Sequence, residues 1–252
     1  QQQAAGRQQP PALQMVVLGD EHQTLFGHQG SDCRFLTLAP QIFPVGARRW
    51  LPLAMHTSFR CPPPVCALIN LMLKEPFLQS GQRAAPGADP PLPVQHLQVN
   101  FAPGAGRVAS VRFVVERFHA FMQQHAIAPD QVYLIVPSVR TGGASPYSLL
   151  QHALSRCGYL LYIPQDDAVV EAHSNPCRGK VVMLNYHSVK GLERDFVVLF
   201  AWDNSYFEYY ARDTDPSRLC DTLYVGATRA RRFLWLVSDG SKPPLAFHPA
   251  AP

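Results

Sequence analysis

Residues 181–200 read VVMLNYHSVKGLERDFVVLF, two apolar runs of strand character enclosing a polar insert with His187, Ser188, Lys190, Gly191 and Glu193. Those residue types suit an anionic, hydroxyl-bearing ligand. His187 and Lys190 can meet phosphates, Glu193 can accept from a sugar hydroxyl, and Gly191 permits positive φ or close backbone approach. In open α/β sheets such side chains converge at the loops leaving the carboxyl ends of the strands, which is where the insert is expected to lie. The other reading of the same residues is a solvated turn.

The elements that must position this insert can be read on either side of it. Val111, Val114, Val115, Phe118, Phe121 and Met122 recur at helical spacing, and QVYLIVPSV reads as a buried strand. Ser145-Pro146 reads as an N-cap followed by proline at the first helical position, with a helix running to Arg156. Further strands are expected at 15–18, 159–163, 181–184, 196–200 and 233–237, and Asp215-Pro216-Ser217 should open a helix leading into the last of them. Strands alternating with helices define an α/β class with a mainly parallel sheet covered on both faces. SGQRAAPGADPPLPVQH, residues 80–96, concentrates proline and glycine and is expected to link two parts, 1–79 and 97–252. Residues 1–12 are Gln/Ala/Pro-rich.

At 252 residues with 47% apolar content, the composition is that of a globular protein rather than a disordered one. No window approaches the ~18 apolar residues of a membrane span, and the first residues lack signal-peptide architecture, so no membrane partner and an intracellular place, cytoplasm or nucleus, are expected. The six cysteines form no C-x-x-C pair and have no histidines at zinc spacing, so reduced thiols and no metal site are expected. Of the 22 basic residues, 18 are arginine, the side chain suited to bidentate phosphate contacts, which inclines the chain towards anionic partners.

Three further stretches fall in a telling order around the insert: VVLGDEHQTLFGHQG at 16–30, SFRCPPPV at 58–65 and DTLYVGATRARRFLWLV at 221–237. Together with HSVKGLE the series resembles motifs III, IV, V and VI of superfamily 1 DNA helicases of the UvrD/Rep type. Asp20-Glu21-His22-Gln23 also looks like that family's acidic box. Gly19 before the aspartate, and Phe26-Gly27 with Gly30 after it, favour motif III instead.

The resemblance implies a RecA-like P-loop NTPase fold, with ATP between two lobes and single-stranded DNA crossing both. Residues 1–79 would be the tail of the first lobe and 97–252 the second. Carried over residue by residue, Gln23 would sense the γ-phosphate and Arg60 and Arg229 would act as arginine fingers. Gly191 and Glu193 would serve the nucleotide, while His187, Phe26 and His28 would serve DNA. A rigid, permanently charged guanidinium suits the charge dispersed on a transferring phosphoryl group. On residue chemistry alone, Arg60 has the rival reading of a surface arginine ahead of a proline-rich turn, and Arg229 that of a basic helix end complementing its own dipole.

No G-x-x-x-x-G-K-[ST] occurs, since Gly179-Lys180 runs into Val181. The phosphate loop, the acidic box and the ligands of Mg2+ are therefore expected upstream, on a first RecA-like domain of the same or a partner chain. The chain by itself is expected not to turn over ATP. The resemblance suggests 3′-to-5′ travel on single-stranded DNA. The competing reading is a degenerate, non-catalytic nucleic-acid-binding or scaffold module. Departures from the family pattern are His28 in place of a large ring in the run after motif III, and Asn185 where threonine is usual.

Overall fold

The computed structural model describes residues 15–25, 30, 32–45, 49–83, 90–139, 145–164 and 177–247. Its centre is a six-stranded sheet built from β3 (Gln95–Val99), β4 (Val132–Val136), β5 (Leu161–Tyr162), β6 (Val181–Asn185), β7 (Arg194–Phe200) and β8 (Ala230–Asp239). The order across the sheet is β3-β8-β7-β4-β6-β5, and every pairing is parallel. The central strand VYLIV is buried at every position, because parallel strands covered on both faces need no polar side.

Side chains still alternate between two cores. On one face Tyr133, Ile135, Val182, Leu184, Val197 and Leu199 pack with helices α3 (Pro63–Leu73) and α7 (Asp221–Ala227). On the other, Val132, Leu134, Val136, Val181, Met183 and Phe196 pack with α4 (Ala105–Gln124) and α5 (Pro146–Arg156). The expected helix at 111–122 lies inside α4. Ser145 Oγ caps α5 by accepting from Ser148 N at 3.1 Å, as its place before Pro146 suggests.

Several expectations are corrected. Residues 15–18 form no strand: Val16 and Leu18 are 85% and 74% exposed, and the segment joins no ladder among the described residues. Asp215 does not open a helix. Its carboxylate accepts from Ser217 N and Ser217 Oγ in a closed turn, and α7 begins only at Asp221. The strand expected over 159–163 is the short edge strand β5. A short helix α6 (Ser205–Tyr209) stands where none was expected.

The boundary placed at 80–96 does not separate two cores either. Val65, Ile69 and Met72 of α3 lie in the same hydrophobic cluster as Leu184 and Leu199 of the sheet. Two short helices, α1 (Arg34–Thr37) and α2 (Ala39–Ile42), precede two short parallel strands, β1 (Thr57–Ser58) and β2 (Gln79–Ser80), which close the segment around α3. The Asn70 amide then donates to Leu78 O and accepts from Leu78 N, pinning the return of the chain. Residues 1–14, 26–29 and 84–89, among them the Gln-rich start, Phe26 and His28, lie outside the described set. No helix among the described residues is long and apolar enough to cross a membrane.

Candidate functional site

The polar insert after β6 is a crossing rather than a surface loop. Parallel pairing places the carboxyl end of β6, Asn185, level with Val136, while Arg194 opens β7 at the other end of the sheet. At about 3.3 Å per residue the insert therefore spans roughly 20 Å. It holds to the sheet through Tyr186, Val189 and Leu192, all buried at a spacing of three. Asn185 starts it by accepting from His187 N, Ser188 N and Ser188 Oγ, and Gly191 turns it at φ +80°. Tyr186 Oη donates to Phe200 O at 2.8 Å.

The two ends of the insert consequently serve different places. His187 is exposed at the carboxyl end of the sheet. Glu193 stands at the amino ends of β7 and β8, beside Arg229. Carboxyl-end convergence, expected from the general behaviour of α/β sheets, thus holds for His187 and fails for Glu193, because a parallel connection must bring the chain back to the amino end.

At that amino end lies a cleft of about 730 Å³ lined by Gln23, Arg60, Cys61, Glu193, Arg229 and Arg231, among others. Arg60 Nε donates to Glu193 Oε2 at 2.5 Å, and Arg231 Nη1 lies 3.6 Å from Glu193 Oε1. Burial alone would raise the Glu193 carboxyl; the hydrogen bond and charge of Arg60, with the charge of Arg231, bring it below the usual carboxylate range. Arg231 is also held by Asp195 at 2.6 Å and by Gln131.

Arg229 differs from both. It is 1% exposed and makes no ion pair among the described residues. Its guanidinium donates to Val225 O, Leu192 O and Thr228 Oγ1. Burial, followed by the nearby charge of Arg60, presses its pKa down to about 10, so it stays charged at neutral pH. The cleft therefore contains a cation fixed by carbonyls and neutralised by no carboxylate. Such a group has the donor geometry and spare positive charge that an anionic oxygen requires.

The segment at 19–25 closes the cleft from the other side. Asp20 Oδ2 accepts from Gln23 Nε2 at 2.8 Å and from Tyr224 Oη at 3.2 Å, joining that segment to α7. Lys190 Nζ donates to Gln23 O at 2.9 Å. Tyr224 itself is buried.

Gln23, Arg60, Glu193 and Arg229 thus share one cleft although their positions run from 23 to 229. Gly191 lies in the crossing behind it, and His187 is at the far end. Sequence reasoning missed Arg231 and Gln82. The Gln82 amide ties Arg60 O and Arg231 O together, and only the ArgArg pair at 231–232 hinted at the first of these. Among the described residues no group of three His, Cys, Asp or Glu could hold a metal ion.

Residues 180–237, which span β6, the crossing, β7, α7 and most of β8, match the family model of the UvrD-like helicase C-terminal domain. The matched segment carries both Glu193 and Arg229. No curated protein matches the chain. Among solved structures, the C-terminal domain of a possible DNA helicase from Lactobacillus strain WCFS1 is similar at 18% identity and a TM-score of 0.46, over 75% of this chain and 92% of that one.

Proposed function

We propose that this chain is the C-terminal part of an ATP-dependent DNA helicase, coupling ATP hydrolysis to movement along single-stranded DNA and to duplex unwinding. The observation that carries the reading is the shared cleft: Arg60 and Arg229, from two separate motif-like stretches, face it together with Glu193 from a third.

In this reading the cleft takes the triphosphate edge presented by a first RecA-like domain, which also brings the phosphate loop and the ligands of Mg2+. Arg229 is ready without rearrangement, since backbone carbonyls already fix its fork. Arg60 leaves Glu193 for a phosphate oxygen, and the released carboxylate accepts from a ribose hydroxyl. The crossing gives the far end to DNA, where His187 stands on the same rigid segment as Glu193. Closure of the cleft is then felt at the DNA end through the buried Tyr186, Val189 and Leu192.

The test is DNA-stimulated ATP hydrolysis by a longer chain that includes a glycine-rich phosphate loop, compared with its Arg229→Ala variant. Loss of an arginine finger should lower the rate by about 10³–10⁵. An unchanged rate removes the finger role. DNA binding without any turnover in the longer chain would instead favour the scaffold reading.

A further inference from the structure

Two arginines reach the Glu193 carboxylate, and their surroundings give them unequal freedom. Arg60 is held by one side-chain bond, from Nε to Glu193 Oε2, and its terminal nitrogens donate to no acceptor among the described residues. Arg231 is held along its whole fork. Its Nε and Nη2 donate to Asp195 Oδ1 at 3.0 and 2.6 Å, Nη2 also donates to Gln131 Oε1 at 3.1 Å, and Nη1 lies 3.6 Å from Glu193 Oε1. The backbones beneath these side chains are tied together. Gln82 Nε2 donates to both Arg60 O and Arg231 O, and Arg194 Nη1 donates to Glu193 O at 3.1 Å.

We propose that Arg231 is a positioning residue of the cleft: it takes over the Glu193 carboxylate when Arg60 swings to an anionic oxygen, so that the carboxylate stays paired and in place. This rests on the reading of the cleft as a seat for phosphate. Arg229 and Arg60 then bind the anion, while Arg231 binds neither phosphate nor sugar and acts through Glu193 alone.

The geometry supplies the reason. A carboxylate stripped of its cation in a partly enclosed site is left uncompensated, and that cost opposes the stripping. Here a second cation already faces the other oxygen. Shortening 3.6 Å to the ~2.8 Å of a charge-assisted hydrogen bond needs only a small shift of the Glu193 side chain. Arg231 cannot follow the anion, because Asp195 and Gln131 hold Nε and Nη2. Arg60 can, because one bond is all it gives up, and Gln82 keeps the two backbones at fixed spacing while it turns. A lysine at 231 would carry the charge without the fork, and one ammonium does not span Asp195, Gln131 and Glu193 together.

The test is a double-mutant cycle read by titration calorimetry with inorganic tripolyphosphate, on the full chain and its Arg231→Gln, Glu193→Gln and doubly substituted forms. Arg231→Gln should weaken binding about fivefold more with Glu193 present than in the Glu193→Gln background, the measure of one partly exposed ion pair. Arg231→Lys should recover little of that difference. Equal losses in the two backgrounds make Arg231 a direct ligand or a source of general charge and overturn the proposal, as does no loss in either, full recovery by lysine, or no tripolyphosphate binding by the unmutated chain. A second readout is taken on the unmutated chain, so a variant that fails to fold does not decide the matter: on adding tripolyphosphate the Nε–H resonance of Arg60 should shift, while that of Arg231, bonded to Asp195, should stay. A shifted Arg231 beside an unmoved Arg60 overturns the hand-over. Neither readout involves hydrolysis or DNA. A longer chain that fails to hydrolyse ATP therefore removes the helicase reading and leaves the coupling standing, whereas absent coupling in a chain whose Arg229→Ala variant loses hydrolysis removes this proposal alone.

Discussion

Glu193 accepts from Arg60 Nε at 2.5 Å across 133 positions of sequence, while Arg231 approaches the same carboxylate from the opposite oxygen. One negative charge thus holds two of the three guanidiniums that border the cleft. Glu193→Gln should release Arg60 and raise affinity for inorganic tripolyphosphate by about fivefold, the equivalent of the ~1 kcal/mol upper range of a partly exposed ion pair. Titration calorimetry on the chain decides this, and unchanged affinity would mean that Arg60 is free already.

The same pair should give a pH signature. The Glu193 carboxyl is lower in the folded state than its ordinary value of 4.5, so its contribution to stability is full above that value. As pH falls below 4.5 through the folded value, the contribution is lost. The difference in Tm between the unmutated chain and Glu193→Gln should therefore shrink on acidification below pH 4.5 and stay constant above pH 6. A gap that widens in acid contradicts the assignment.

Asn185 collects three donors at the start of the crossing, so Asn185→Ala should cost about 0.5–2 kcal/mol in urea unfolding, the range for losing a cap. Asn185→Thr, which restores the residue usual in the family, should lose less, because a hydroxyl can still accept from one backbone N–H. No loss for Asn185→Ala would show that the amide has no capping role.

Gly226 in α7 has no room for a side chain. A Cβ there would lie 3.1 Å from Tyr186 Cε1 and 3.2 Å from Leu199 Cδ2, and both neighbours are packed in the core. Gly226→Ala gains about 1 kcal/mol in helix propensity but forces overpacking that costs about 1–3 kcal/mol. The expected outcome is a lower Tm together with weaker tripolyphosphate binding, since Arg229 follows directly on α7. A raised Tm would show that Tyr186 can move aside.

Binding of single-stranded DNA, if it rests on backbone contacts as proposed, should fall steeply between low and moderate salt through counterion release. Fluorescence anisotropy with two unrelated sequences checks this. Salt-independent affinity, or a strong preference for one sequence, counts against the reading.

Where the sequence was legible, the reason is physical. VYLIV, VVML and FVVLF have no polar alternation because parallel strands between two helical layers are dry on both faces, and Ser145-Pro146 states its cap in two residues. Asp215-Pro216-Ser217 misled because the same residue types that cap a helix also close a free-standing turn. The boundary at 80–96 misled because proline and glycine report local backbone, while α3 reaches the sheet core through Val65 and Ile69. The cleft was legible only through the spacing of motif-like stretches; nothing local in TRARR separates buried, carbonyl-held Arg229 from Arg231, which is paired to carboxylates. The partnership of Arg60 with Glu193 is a matter of sheet order, which no single stretch contains.

The parallel order of the sheet also sets a timetable for folding. Edge strand β3 has its partner in β8, with Gln95 opposite Trp235, so it waits for nearly the whole described chain before its ladder can close. β4, β6 and β7 join sooner, over shorter loops. Non-local pairings of this kind fold slowly because loop-closure entropy is spent before contacts reward it. The cleft belongs to the late stage, since Arg60, Glu193 and Arg229 meet only once β7 and β8 are side by side. A chain still emerging from synthesis would therefore hold a formed central sheet for some time before it had any cluster of charge able to hold an anion.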